Sequence, residues 1–350
     1  YLVLNLKVFW SKIAYYLVIK YICAKILLMD FCNLYTKSVV KEIINTDMKE
    51  NMVNHAYLLC GQDQIYLEYL AKEIAKDIIT QGSREEVVVN KIDKDIHSDV
   101  LIYPKDIKKG LVVEDVNEIV DKAYIYPLEA NKKIFIINSI DVSTNQAQNK
   151  LLKTLEEPPA TSMFILTSTN PAGILNTIKS RAKTVNVPLL DNASVEAFIL
   201  KNSSIRAKSM DTYVMSSQGN LTKALKIVND EDFAKIKQLC FDTIINLKDS
   251  GEILRYSSKI LEYKDRLVEV LDELSLVLLD VLYVKSGLED RVHDKERIVD
   301  YKNSNFSVKA LKLTYAKVLD ALTKLDSNCN ANIVIDGLLI TMLEVKHKWK

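Results

Sequence analysis

The chain has 350 residues, of which 48% are hydrophobic and 27% charged, the composition of a globular protein with more than one domain. Lys and Arg number 47 against 46 Asp and Glu, so the net charge of +1 provides no global field that would hold nucleic acid or a lipid surface. Only 8 glycines are present, and the closest two, Gly61 and Gly82, lie 21 positions apart. A dinucleotide-binding fingerprint and an intact phosphate-binding loop are both excluded, because each needs glycines a few positions apart.

The cysteines and histidines do not form a metal-binding pattern. The 5 cysteines include no Cys-x-x-Cys pair, and the 4 histidines are scattered along the chain. We therefore predict reduced thiols in a cytoplasmic protein, with no disulfide framework and no metal site.

The first 28 residues are apolar and basic, but lysines at positions 7, 12, 20 and 25 interrupt every hydrophobic run. The uncharged stretches are far shorter than the ~20 residues that cross a bilayer. A basic amphipathic helix on a membrane surface is one alternative. We favour a native start at Met29, with residues 1–28 as a non-native or unstructured extension, and we predict no membrane partner.

Short apolar runs alternate with segments of helical period between residues 57 and 187. Strands are predicted at Tyr57–Cys60, Asp99–Ile102, Ile134–Ile137, Phe164–Leu166 and Thr184–Val187, and helices at Leu67–Ile78 and Val112–Ala123. Consecutive apolar positions are typical of parallel strands that are covered on both faces. The pattern predicts an α/β domain, a parallel sheet flanked by helices, over residues 29–190.

The remainder of the chain is predicted to be helical. All 6 prolines lie before residue 189, and the apolar spacing after Pro188 follows a helical period. Gly219 and Asn220 separate two short helical segments, and long amphipathic segments follow at 267–284 and 308–325. The last segment, Ala331–Val345, is apolar on so many positions that at least two faces must be covered, within the monomer or between subunits. We predict a small helical domain over 191–229 and a larger one over 230–350.

The most specific stretch is Asn149–Pro159, with the sequence N-K-L-L-K-T-L-E-E-P-P. Its leucines form one helical stripe, and Pro158 ends the helix because the residue before a proline is disfavoured in the α region. A strand then brings Thr167 and Ser168 to its carboxyl end, where ligands bind in open α/β sheets. The segment Thr177–Arg181 follows.

These segments resemble the clamp-loader branch of the AAA+ ATPases, in which an L-L-K-x-L-E-E-P-P helix precedes a sensor strand and an S-R-C arginine-finger motif. Three more segments are similar to that family in the same order: His55–Leu58, His97–Asp99 and Asn328–Leu339. The resemblance implies an AAA+ domain over 29–190, a helical lid over 191–229 and a helical oligomerisation collar over 230–350.

The chain departs from this family at its phosphate loop. Gly61 stands at the first position, but Tyr66 replaces the second glycine, Leu67 the lysine and Glu68 the hydroxyl residue that binds magnesium. The ring blocks the approach of backbone amides to phosphate, the leucine cannot neutralise phosphate charge, and the glutamate adds negative charge.

Two further nucleotide motifs are altered. The strand that ends at Ile137 leads into Asn138 and Ser139 where the resemblance expects an acidic pair, and Thr222 stands where active relatives place a sensor arginine. We predict a degenerate site that binds no cofactor and does not hydrolyse nucleotide.

Ser180 and Arg181 are retained, whereas Ala182 replaces the cysteine of S-R-C. The dipeptide alone is most simply a surface arginine in a turn. The resemblance implies that Arg181, with Ser180, is an arginine finger acting in trans on ATP bound by a neighbouring subunit. The family's zinc module is not carried over, because no cysteine lies between Ile79 and His97.

The resemblance also implies partners: gamma or tau and delta subunits of the DNA polymerase III clamp loader in a hetero-pentamer, and the sliding clamp and primer-template DNA through that complex. Three alternatives stay open at this point. They are an active gamma- or tau-like ATPase with a non-standard phosphate loop, the delta subunit, which is not expected to keep Ser-Arg here, and a stand-alone DNA-binding module.

Overall fold

The computed structural model describes residues 32–105, 110–202, 210–327 and 329–349. The predicted extension at 1–28 and Asn328 lie outside these ranges. The described residues divide into two compact units. One is formed by those up to Ser194 together with Asn220–Thr222, and the other by those of Val195–Gly219 and from Lys223 onward. The division into AAA+ domain, lid and collar stays a prediction.

The first unit is built on a five-stranded parallel sheet. Its strands are β1 (Ala56–Cys60), β2 (Val100–Tyr103), β3 (Lys133–Ile137), β4 (Ser162–Ser168) and β5 (Lys183–Asn186). Their order is β2-β3-β4-β1-β5, and every neighbouring pair is parallel. All five predicted strands are confirmed, and so is the fold class. The carboxyl ends of β1, β3 and β4 meet at one edge of the sheet, the edge at which ligands bind in such folds.

Helices flank this sheet. They are α1 (Cys32–Thr36), α2 (Val39–Lys49), α3 (Gln64–Ile79), α4 (Glu86–Asp93), α5 (Val113–Ala123), α6 (Asn145–Glu156) and α7 (Asn176–Lys179). The leucine stripe of α6 is confirmed, since Leu151 and Leu155 are buried in the same core as Phe135 and Phe164 of the sheet. The helix ends at Glu156, one residue earlier than the position that Pro158 disfavours.

The elements from Asn192 onward are helices throughout the described ranges. They are α8 (Asn192–Asn202), α9 (Met210–Ser217), α10 (Leu221–Val228), α11 (Phe233–Asn246), α12 (Ser250–Leu261), α13 (Leu267–Lys285), α14 (Ile298–Lys302), α15 (Val308–Asp326) and α16 (Ala331–Lys348). The centre of the second unit is α13, which packs against α11 and α15, and α16 packs against α12 and α15. No helix within the described ranges combines the length and the apolar character needed to cross a bilayer.

The last helix, α16, is only partly covered by its own chain. Ile335, Leu339 and Met342 are fully buried in the helical core. Ile333 and Ile340, by contrast, are 72% and 44% exposed. Because α16 packs against both α12 and α15, two of its faces are covered within this chain, and Ile333 and Ile340 lie outside these contacts.

A buried charge cluster joins the first helices to α3. Asp77 is fully buried and accepts hydrogen bonds from Tyr35 at 2.6 Å, from Lys41 at 2.6 Å and from Arg84 at 2.8 Å. Burial acts to raise the pKa of Asp77, but the hydrogen bonds from Lys41, Tyr35 and Arg84 outweigh it and hold the pKa below its ordinary value of 3.8. The ionised form of Asp77 thus stabilises the fold.

We expect Asp77→Asn to lower the free energy of unfolding by about 2–3 kcal/mol at neutral pH, the range for hydrogen bonds to charged groups. A depressed native pKa contributes stability above the unfolded-state pKa of about 3.9, and this contribution disappears as the pH falls through the native pKa. The difference between the two proteins should therefore shrink below about pH 4. Urea denaturation of both proteins between pH 7 and pH 3 measures this difference in the free energy of unfolding.

Asp232→Asn is the matched control, because Asp232 forms an exposed ion pair with Lys235 at 2.7 Å and exposed pairs add little to stability. It should behave like wild type at every pH. A difference between wild type and Asp77→Asn that does not change with pH would contradict the role given to the Asp77 carboxylate.

Candidate functional site

The predicted phosphate loop begins at the carboxyl end of β1 and runs into α3. The amide of Gly61 donates to the carbonyl of Ser168 at 3.1 Å. A Cβ atom at Gly61 would lie 3.0 Å from the carbonyl oxygen of Val187 and 3.3 Å from the side chain of Leu67. Close packing against the end of β5 is therefore enough to favour a glycine at this position, and phosphate binding is not needed to account for it.

A carboxylate from the chain itself closes the first turn of α3. Asp63 caps the helix by accepting from the amide of Tyr66 at 3.3 Å. It also accepts from the amide of Leu221 at 2.5 Å and from the amide and hydroxyl of Thr222 at 3.3 and 2.7 Å. The Thr222 hydroxyl in turn accepts from the amide of Ile65 at 3.1 Å. Side-chain oxygens thus accept the hydrogen bonds of amides that, at the start of a phosphate-loop helix, would bind an anion.

The charges at this end of α3 oppose phosphate. Burial raises the pKa of Asp63, while the hydrogen bonds from Thr222 and Leu221 act in the opposite direction. Glu68 is half-buried, accepts from Gln64 at 2.6 Å, and has its pKa raised by burial. The carboxyl group of Asp63 therefore occupies the positive end of the helix dipole, and Glu68 lies one turn further along, whereas a nucleotide would need cations and open amides here.

The two other substituted positions in the loop belong to the core. Tyr66 is 4% exposed, and its ring stacks on that of Tyr69 with centroids 6.4 Å apart. Leu67, at the register of the phosphate-binding lysine, is fully buried. The residues present at this site do not fit a nucleotide with its magnesium ion.

The end of β3 is held by neutral hydrogen bonds. The amide of Asn138 donates to the carbonyl of Tyr103 at 2.8 Å. Thr167 of β4 donates from its hydroxyl to the Asn138 side chain at 3.4 Å and accepts from the amide of Ser139 at 3.0 Å. Ser139 has φ of +52°, in the left-handed region that few residues other than glycine adopt. The structure thus brings Asn138, Ser139 and Thr167 together as a strand-end network.

Arg181 lies at the surface in the turn that follows α7. Its Nη1 donates to the carbonyl of Thr177 at 2.8 Å and to the hydroxyl of Ser180 at 3.3 Å, and its Nη2 lies 2.5 Å from Oε1 of Glu156. The side chains of Arg181 and Glu156 are 32% and 45% exposed. Ala182, at the position of the family's cysteine, is buried.

Gln148 of α6 fixes the loop that leads to this turn. It is fully buried, and its Nε2 donates to the carbonyls of Gly173 at 2.9 Å and Ile140 at 3.2 Å. Its Oε1 accepts from the amide of Leu175 at 3.0 Å. Since Ile178 of α7 is buried in the same core as α6, the arginine-bearing turn is anchored to the helix that carries Glu156.

Three residues that shape these sites received no individual role from the sequence: Asp63, Gln148 and Glu156. Asp63 has a local signal, because an acidic residue directly before an amphipathic helix is a preferred N-cap. The contacts of Gln148 and Glu156 are to other elements, and no local pattern indicates them.

Residues 36–191 match the family model described as DNA polymerase III, delta subunit. The chain is 29% identical over 202 residues to DNA polymerase III subunit gamma of Buchnera aphidicola subsp. Schizaphis graminum, covering 55% of this chain and 52% of that protein. It is 24% identical over 319 residues to DNA polymerase III subunit delta' of Bacillus subtilis, covering 87% of this chain and 95% of that protein. These matches support a clamp-loader family member, with delta' subunits among its relatives.

The chain spans about half the length of the gamma relatives from Buchnera that it matches. A DNA polymerase III gamma subunit-related protein from Thermotoga maritima superposes with a TM-score of 0.43 at 18% identity, over 87% of this chain and 99% of that chain. Within the described ranges, no group of three or more His, Cys, Asp or Glu side chains could hold a metal ion. The roles predicted for the individual site residues stay predictions.

We expect Asp63→Ala to open the start of α3. The amides of Leu221 and Thr222 lose their acceptor, so their hydrogen exchange should accelerate about tenfold, the equivalent of one hydrogen bond of ~1.4 kcal/mol. Hydrogen exchange at constant pH and temperature measures this residue by residue.

Asp249→Ala is the control for this experiment, because Asp249 caps α12 by accepting from Gly251 at 2.8 Å. That substitution should leave exchange at Leu221 and Thr222 unchanged. Equal exchange at these two amides in wild type and Asp63→Ala would show that the carboxylate does not hold them.

Proposed function

We propose that this chain is a delta-prime-type subunit of the DNA polymerase III clamp loader that does not hydrolyse ATP and presents Arg181 to ATP bound by an adjacent subunit. The observation that carries the proposal is the closure of the first turn of α3 by Asp63 and Thr222, in a chain that retains a surface Arg181. The match to subunit delta' of Bacillus subtilis over 95% of that protein supports the assignment to this class.

Loss of nucleotide hydrolysis follows from the chemistry of phosphoryl transfer, which depends on positioning and on cations that stabilise the transferring group. This chain offers buried Leu67 in place of the lysine, carboxyl groups of Asp63 and Glu68 at the helix start, and neutral Asn138 at the end of β3. A gamma- or tau-like ATPase would have to displace both Asp63 and Thr222 before a phosphate could reach the amides.

Arg181 can be retained for a separate reason, because an arginine finger acts on a neighbour's nucleotide and needs no intact site in its own chain. A guanidinium stays charged at any physiological pH and can donate two parallel hydrogen bonds to phosphate oxygens. In this proposal Arg181 crosses a subunit boundary and stabilises the charge that develops on the transferring phosphoryl group. Ser180 donates to the carbonyl of Thr177 at 3.0 Å and shapes the turn.

The proposal includes a three-part organisation: an AAA+ domain over 29–190, a lid over 191–229 and a collar over 230–350. The collar would join gamma or tau and delta subunits in a hetero-pentamer, and exposed Ile333 and Ile340 on α16 offer apolar surface for such a contact. Hydrolysis at the neighbour's site would then couple to release of the sliding clamp on primer-template DNA.

Arg181→Ala in the reconstituted loader tests this function. The ATP site that Arg181 faces should lose about 10³-fold or more in hydrolysis rate, the range in which arginine fingers act. Pre-steady-state ATP hydrolysis in the presence of clamp and primed DNA should then show one class of site that no longer turns over.

Lys153→Ala is the control, since it removes an exposed cation from α6. It should leave every phase of hydrolysis unchanged. A complex that still assembles with Arg181→Ala and hydrolyses ATP at the wild-type rate would overturn the arginine-finger proposal.

A further inference from the structure

The ion pair between Arg181 and Glu156 joins two segments that are separate in sequence and that the proposed function leaves unconnected. Arg181 belongs to the retained Ser-Arg dipeptide, and Glu156 is the first glutamate of the L-E-E-P-P segment. The Nη2 atom of Arg181 lies 2.5 Å from Oε1 of Glu156. The two side chains meet at the surface, where each is about a third to a half exposed.

The stability of the fold does not explain this pair. An ion pair between exposed side chains gains little, because solvent screens the attraction and both side chains lose rotamer freedom. The loop and helix around it are already anchored by fully buried Gln148 and by buried Ile178. The main effect of the pair is therefore to order the side chain of Arg181, and it adds little to the stability of the fold.

Glu156 is well placed to order a long side chain. It is the last residue of α6, and that helix must end there because Pro158 and Pro159 follow. An acceptor on the end of a rigid helix fixes one side of the guanidinium, and the carbonyl of Thr177 fixes another nitrogen at 2.8 Å. The guanidinium has five N–H donors, so donors remain available after these contacts.

We propose that Glu156 is a positioning residue that holds the guanidinium of Arg181 ready for the phosphate of an adjacent subunit. This inference rests on the proposed function. An unrestrained arginine must give up its rotamer freedom at each turnover, whereas one already held by Glu156 and Thr177 has given up that freedom before the nucleotide arrives. The opposite role is that Glu156 competes with phosphate for Arg181, and its removal would then accelerate hydrolysis.

The experiment uses full-length chain reconstituted with the other loader subunits of the same organism, with MgATP, clamp and primed DNA. Glu156→Ala should lower kcat at the affected site about tenfold and leave KM for ATP unchanged, because the arginine acts on the transferring phosphoryl group and not on nucleotide binding. Glu156→Gln keeps an acceptor oxygen at the same reach and should stay within about twofold of wild type. Glu157→Ala removes the adjacent exposed carboxylate and should change nothing.

The outcomes separate this inference from the proposed function. If Arg181→Ala leaves hydrolysis unchanged, the proposed function fails. If Arg181→Ala slows hydrolysis while Glu156→Ala leaves it unchanged or accelerates it, the proposed function stands and the positioning role is overturned. The double variant should be no slower than Arg181→Ala alone, since Glu156 acts only through Arg181.

A measurement on the full chain alone does not depend on assembly. Side-chain ¹⁵N NMR of Arg181 should show a guanidinium that reorients more freely in Glu156→Ala than in wild type, with Glu156→Gln closer to wild type. Equal mobility of Arg181 in all three proteins would overturn the inference.

Discussion

The Asp63 carboxylate at the start of α3 is the contact on which the interpretation of this chain depends. The amides of a helix N-terminus attract an anion, and in a phosphate loop that anion is the nucleotide. Here Asp63 and the hydroxyl of Thr222 satisfy the amides of Ile65, Tyr66, Leu221 and Thr222 from within the chain. In the proposed function, these side-chain oxygens take the place that the phosphate occupies in an ATPase.

In the proposed function, this chain has lost nucleotide hydrolysis and has kept its arginine finger. Tyr66 and Leu67 are buried core residues, so the two residues proposed to exclude phosphate also contribute packing. Arg181 lies on the outside of the unit, and its turn is anchored through Gln148 and Glu156 of α6. The contacts at the start of α3 and the anchoring of Arg181 are built from different elements, so a change at one need not disturb the other.

Much of the fold could be predicted from the sequence, because its signals are local. Consecutive apolar residues marked four of the five strands, alternating apolar residues marked β5, and Pro158 marked the end of α6. The helices α1, α2, α4 and α7 were not predicted; α1 and α7 have only 5 and 4 residues, too few to show a helical period. Contacts between residues far apart in the chain set a second limit on prediction. The buried carboxylate of Asp99 accepts hydrogen bonds from the amides of Leu128, Glu129 and Ala130, about 30 positions away.

The sequence suggested which residues of the candidate site differ from an ATPase, but it did not reveal the contacts that these residues make. A tyrosine, a leucine and a glutamate in a phosphate loop can be recognised in the sequence, because each conflicts with phosphate chemistry. The Asp63–Thr222 contact joins residues 159 positions apart, and the Glu156–Arg181 pair joins a helix end to a distant turn. Such pairings are fixed by tertiary packing, and several other carboxylates in the sequence could have served equally well.

Calorimetric titration of the isolated full chain with MgATP tests the central claim most directly. If Asp63 and Thr222 occupy the start of α3, no saturable binding should appear at millimolar nucleotide. Micromolar binding accompanied by ATP turnover would contradict the claim, and it would show that the loop rearranges to admit phosphate.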